Sequence, residues 1–289
     1  MDKRKNNTRI TYSPDGPCVE GREGLFLKTR LMMSELVTAR ELVWRLFVRD
    51  FSAKYRQSLL GVIWAILMPF ITVGMFVGMN RSGVLTIKDV GMPYPLYAII
   101  GLTIWSLFTV GLTACTNSLV NAGAMVVKIN FPKVALVLAA SGQGVVEFFI
   151  RMVLIALTFL YYGVTPSWSG LFLGFICIIP CYLFMAGIGF VLSLVAGVMR
   201  DIVNVLSIVL MAFMLLTPIL YPIKGDNMLA RANVWNPFNY LVNVPRDLIV
   251  RGHTDFLMEF SLITLLSVTV FYMGWKLFYL AQTKIAERI

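Results

Sequence analysis

The sequence predicts an all-α integral membrane fold: six transmembrane helices per chain, an N-terminal amphipathic interfacial helix, and short outer re-entrant or gate helices. Three observations predict it. The chain is 58% hydrophobic and only 14% charged over 289 residues, against roughly 45–50% and 25% in a soluble domain, so a water-soluble fold of this size could not hide its apolar side chains. Six windows are apolar and near or above the ~20 residues that cross the hydrocarbon. Lys and Arg are strung between those windows instead of gathering on one face, so the net charge of +10 reads as membrane topology, not as a nucleic-acid patch.

Residues 1–34 read as a polar, flexible cytoplasmic arm that includes Lys3, Arg4, Lys5, Pro14 and Pro17. It has no early apolar core and no small-residue cleavage site, so the first span is expected to act as the targeting signal. Residues 35–58 read as the interfacial helix. Thr38, Glu41, Arg45, Arg49, Ser52 and Arg56 fall on one polar stripe, and Leu36, Val43, Leu46, Phe47 and Phe51 lie elsewhere. Such a helix serves either as a positive-inside anchor or as a platform for a cytoplasmic partner; its length of some ~20 residues favours the platform.

The transmembrane domain, 59–289, holds spans expected at 59–79, 95–115, 134–162, 171–198, 202–221 and 256–280. Pro69, Pro180 and Pro218 fall inside spans, where each removes a backbone donor and can kink the helix. With the N-terminus inside, eighteen Lys and Arg lie on the cytoplasmic side and six on the other, with Arg151 within the third span. This asymmetry puts both termini in the cytoplasm.

Two connectors are longer than adjacent helices need. The first, 117–133, offers Asn117 as an N-cap and should form a short cytoplasmic helix ending before Phe131-Pro132, either as a plain connector or as an element with a function of its own. The second, 222–255, is interrupted by Trp235, Phe238, Tyr240, Leu241, Val242, Leu248, Ile249 and Val250, which predicts short helices at the outer interface.

Catalytic motifs are missing. There is no G-x-x-x-x-G-K-[ST] phosphate loop, no G-x-S-x-G elbow and no H-E-x-x-H helix. Cys18, Cys115, Cys177 and Cys181 lack metal-ligand spacing and His253 is the single histidine, so free thiols and no metal are expected. Glu147 and Arg151 form one i, i+4 ion pair within the third span. Intramembrane charge suggests function, yet a self-paired couple is also the cheapest way to tolerate charge structurally. Trp64, Phe70, Phe76, Tyr94, Tyr97, Trp105 and Phe108 crowd the first two spans, and Tyr221 ends the fifth. Most suit belt or packing roles; a subset facing a lumen would suit the CH faces of sugar rings.

Several short motifs stand in order along the chain: Arg49-Asp50-Phe51 and the run from Lys54 to Ala65, Asn130-Phe131-Pro132-Lys133, Arg200-Asp201-Ile202, Thr217-Pro218-Ile219-Leu220-Tyr221-Pro222, and Asn236-Pro237 followed by Arg246. Their order and spacing resemble the type-2 ABC-transporter permeases that export polysaccharides such as O-antigen, capsule and teichoic acid. The similarity covers about 35–289. It implies a homodimer in a bacterial inner membrane that moves an undecaprenyl-linked glycan, with two copies of a separate ATPase binding ATP and Mg, and no cofactor in this chain. Coupling contacts are then expected from Arg45, Arg49 and Arg56 of the interfacial helix and from Asn117, Ser118, Asn121, Met125, Lys128 and Lys133. Channel-lining candidates are Trp64, Phe70, Tyr94, Tyr97, Trp105, Phe108 and Tyr221, and the 222–255 loop would form outer gate helices. The 34-residue arm is longer than the family leads one to expect. Other readings are an ABC permease for a drug, lipid or ion, a transferase using Asp226, Asp247, Asp255 and His253, and a secondary carrier.

Overall fold

The computed structural model describes residues 10–13, 16–19, 32–34, 37–56, 61–83, 90–123, 131–222 and 228–286. The one departure from an all-α architecture among them is a short hairpin within the arm. Strand β1 (Ile10–Ser13) pairs antiparallel with β2 (Gly16–Val19), Ile10 opposite Val19 and Ser13 opposite Gly16. Ile, Thr and Tyr favour extended backbone, which suits β1.

Helix α1 (Arg40–Arg56) falls within the expected interfacial segment. It lies against the bundle with Leu46 buried and Val43 and Phe47 half-buried, while Arg45 and Arg49 stay exposed. Helix α2 (Ile63–Arg81) contains Pro69 and is apolar all round, yet only Ala65, Pro69 and Val73 are buried.

Helix α3 (Tyr94–Ala122) is the central post of the bundle, buried along most of its length and packed on α4 (Val134–Tyr162) and α6 (Ile178–Val198). Pro93 caps it and Pro95 sits in its first turn, where a missing N–H costs nothing. At 29 residues each, α3 and α4 are about 43 Å long, so their shared end projects beyond a ~30 Å hydrocarbon layer. Gly163, with φ 62°, ends α4 in a left-handed cap.

The fourth span is divided. Helix α5 (Trp168–Ile176) gives way at Cys177 to α6, three residues before Pro180. The proline cannot donate to the carbonyl four residues back, Ile176, and its ring crowds that group, so the break falls upstream of the proline itself. Helix α7 (Ile202–Leu216) is shorter than the span expected there, because Thr217 turns extended (φ −103°, ψ 142°) ahead of Pro218. Pro218 therefore ends the helix; it does not kink a longer one. Among the described residues five helical segments are long and apolar enough to cross a membrane, and α7 is a shorter apolar sixth.

Helices α8 (Met228–Val234) and α9 (Pro237–Arg251) form the 222–255 loop. α9 does not rest at the surface. Leu241, Val244 and Arg246 are wholly buried, and the helix packs on α5, α3 and the last helix, α10 (Leu257–Ala286). α6 and α10 meet backbone to backbone: a Cβ on Gly187 would come within 2.6 Å of the Phe271 Cα, and one on Gly274 would run into the Gly187 carbonyl. Close approach through small residues is how helices gain dispersion contact in lipid, where no hydrophobic drive exists between them.

Candidate functional site

Thr109, Thr113, Asn117 and Asn121 recur every fourth residue along α3 and so share one face of an otherwise apolar helix. That polar stripe borders an open cavity of about 840 Å³, lined also by Arg49, Asp50 and Lys54 of α1 and by Gln143 of α4. The α3 side chains satisfy themselves partly on their own helix. Asn117 Nδ2 donates to the Thr113 carbonyl (3.0 Å) and Thr116 Oγ1 to the Leu112 carbonyl (2.8 Å). The Ser118 hydroxyl, buried beside them, has no partner among the described residues. Polar groups at this depth are tolerated where they line a wet cavity, not where they face lipid.

Four of the expected coupling residues, Arg49, Asn117, Ser118 and Asn121, are brought together on this cavity. Asn117 is not an N-cap: α3 runs through it without a break until Gly123, at φ 48°. The amide bonds back to the preceding turn, so it does not compete with the helix. The expected coupling helix thus loses its first six residues to α3, and Met125 and Lys128 lie outside the described residues. Lys133 caps the start of α4, and burial pulls its ammonium below the usual lysine range. Arg45 points away, paired with Glu41 at 2.7 Å on the exposed face of α1; the side chain of Arg56 lies outside the described residues.

Glu147 and Arg151 do pair, Arg151 donating to Glu147 Oε1 at 2.6 Å. The sequence reading missed the third member. Lys54 reaches across from α1 and donates to Glu147 Oε2 at 3.0 Å.

The seven channel candidates divide three ways. Trp64 and Phe70 are exposed on α2; Tyr94 and Tyr221 are half-buried; Tyr97, Trp105 and Phe108 are buried inside the subunit. The last two belong to an aromatic cluster centred on Phe238 of α9, which stands edge-on to Trp105, Phe108, Phe184 and Phe213 at centroid distances of 5.3, 4.4, 5.6 and 6.0 Å. In this subunit they pack α9 against the bundle.

Just past the end of α7, the carbonyls of Pro218 and Ile219 find partners on other helices. Tyr97 donates its hydroxyl to the Pro218 carbonyl (2.9 Å). Arg246 donates to the same oxygen (3.2 Å), to the Ile219 carbonyl (3.1 Å) and to Asn243 Oδ1 (2.9 Å), with its guanidinium stacked 3.7 Å from the Tyr97 ring centre. Gly101 leaves room for this: a Cβ there would come within 2.7 Å of the Ile219 carbonyl and overlap the guanidinium. Asn236 joins in, donating to Thr217 Oγ1 at 3.0 Å while its own Oδ1 caps α9, and the Tyr221 hydroxyl bonds the Leu215 carbonyl. Beside this cluster a recess of about 380 Å³ is lined by Asn239, Asn243, Asp247 and Arg251. Burial raises the Asp247 carboxyl above its ordinary range, with Arg251 and Arg246 acting against it. His253 and Asp255 do not line that recess, and Asp226 lies outside the described residues.

Among the described residues no three His, Cys, Asp or Glu side chains gather as a metal site would require. Comparison with known proteins points to transport. Residues 41–250 match the family model described as "ABC-2 type transporter". The chain is 26% identical to an "O-antigen export system permease protein RfbA" from Klebsiella pneumoniae over 250 residues, covering 83% of this chain and 91% of that one. A protein of the same name from Myxococcus xanthus is 24% identical over 193 residues, 67% of this chain and 73% of that one. With the family model spanning well over half of an apolar helical bundle, the chain belongs to the ABC-2 type transporter family of membrane permeases.

Proposed function

We propose that this chain is the permease subunit of an ABC exporter that carries a lipid-linked polysaccharide of the O-antigen class across the bacterial cytoplasmic membrane, powered by ATP hydrolysis in a separate cytoplasmic subunit. The observation that carries the reading is the polar cavity between α1 and α3. Four of the expected docking residues, Arg49, Asn117, Ser118 and Asn121, line it at the end of the bundle from which the α3–α4 connector emerges, the end that Lys and Arg counts assign to the cytoplasm. The relatives named as O-antigen export permeases supply the substrate class.

Two copies of the chain complete the path. α2 and α7 leave apolar side chains uncovered, with Ile208 and Met211 of α7 70–71% exposed and Leu206 its one buried residue. Such faces suit either lipid or a second subunit, and the family resemblance favours a dimer with Trp64 and Phe70 near the shared lumen. α9 then acts as an outer gate element tied to α7 by Arg246.

Co-purification of the tagged chain from its native membrane, with ATPase activity assayed on the eluate, tests the reading. A stoichiometric ATPase that is lost when residues 123–133 are replaced by a flexible linker supports it. A chain that elutes alone and is inert to ATP, in cells whose surface polysaccharide persists after the gene is deleted, would overturn it.

A further inference from the structure

The Glu147 carboxylate has one oxygen on each of two cations from different helices: Oε1 accepts from Arg151 at 2.6 Å and Oε2 from Lys54 at 3.0 Å. The carboxylate side chain is 8% exposed and Arg151 13%, whereas Lys54, at 39%, lies at the edge of the cavity. Charge balance does not require the third member. Arg151, one turn away, already neutralises Glu147, and adding Lys54 leaves the cluster with one positive charge in excess. A lysine at the rim of a membrane protein can also extend its stem and keep the ammonium in water. Here it turns inward onto another helix instead.

The remaining packing of α1 explains what that contact adds. Among the described elements α1 makes its extensive contact with α4 alone, and faces α3 across the cavity. The Phe47 ring lies where a Cβ on Gly142 of α4 would come within 2.9 Å. Lys54 grips the same helix at Glu147, seven residues further along α1, or about 10 Å. Two attachments that far apart fix α1 against swivelling as well as against separation. α4 is also the helix that follows the α3–α4 connector directly.

We infer that Glu147 is a positioning residue for coupling: with Lys54 and Arg151 it joins α1 and α4 into one rigid lever, so that force received at either docking element moves the third span. The inference rests on the functional reading above. It assigns the ion cluster a role in transmitting ATPase motion, beyond tolerating charge in the membrane.

The test uses the whole permease–ATPase complex reconstituted in proteoliposomes, reading polysaccharide exported per ATP hydrolysed. Lys54→Met leaves the Glu147–Arg151 pair intact and should lower that ratio by at least about fivefold, the scale of a modest coupling free energy, with no loss of complex yield. Lys54→Arg should keep the ratio. Glu147→Gln should lower it as Lys54→Met does, and the double variant should be no worse than either single one, because both remove the same link. An unchanged ratio in Lys54→Met, or losses that multiply in the double variant, would overturn the lever. If Glu147→Gln fails to assemble, the Met and Arg variants of Lys54 decide alone. A wild-type complex with neither ATPase nor export would instead sink the functional reading, and the lever with it.

Discussion

Arg246 shows how a single side chain can stand in for missing secondary structure. Chain that leaves helical form inside a membrane protein has carbonyls with no water to bond, at about 1–3 kcal/mol for each one unsatisfied. Arg246, fully buried, covers those of Pro218 and Ile219 and stacks on Tyr97. Arg246→Ala should therefore destabilise the detergent-solubilised chain by on the order of 3 kcal/mol, read as a lowered thermal midpoint. Gly101→Ala should act on the same cluster by collision, and combining the two should give less than the sum of their effects, since removing the guanidinium relieves part of the clash. Independent, fully additive losses would show that the two sites do not meet. The position was legible in the sequence only as a motif arginine; its partners lie 27 and 28 residues away, and no local pattern names them.

Among elements, α7 and the α6–α10 pair are opposites. α6 and α10 touch through glycines with no side chain between them, so Gly187→Val would force the helices apart; overpacking of this kind costs about 1–3 kcal/mol or more, and should appear as lost monodisperse yield on size exclusion. α7 is held along one face by Leu206, Leu210 and Met214 and shows lipid or a partner its apolar flank. Met211→Cys is expected to cross-link between two copies in native membranes under a short bifunctional thiol reagent, whereas Ala186→Cys, wholly buried within the subunit, should not. Equal cross-linking at both sites, or none at Met211, would count against α7 as a dimer face. Pro180 and Pro218 are both visible as breakers, but their outcomes differ: helix runs on through Pro180 as α6, so that span is only divided, whereas Thr217 turns extended ahead of Pro218 and α7 stops there.

For the whole molecule, the polar cavity and the positive-inside count make one joint prediction. With the native cysteines replaced by serine, Asn117→Cys and Thr113→Cys should react with a membrane-impermeant thiol reagent from the cytoplasmic side of inverted vesicles, and not in right-side-out vesicles. Phe108→Cys, buried in the aromatic cluster, should react in neither. Labelling of Asn117→Cys from the opposite side would invert the proposed topology.

Much of this bundle follows from the chain alone. The apolar windows, Pro95 opening α3, Pro132 ahead of α4 and Gly163 closing it all act over a few neighbouring residues, and local chemistry is enough to read them. Helix rotation is different. A helix that is apolar all round, as α2 and most of α3 are, carries little signal of which face turns inward, so sequence could not separate Trp105 and Phe108 in the core from Trp64 and Phe70 on the surface. Nor could it tell that the Thr109–Asn121 stripe meets α1, or that Lys54 reaches Glu147 across 93 residues of chain. Those pairings are settled by how whole helices pack against one another, and only the tertiary structure contains that.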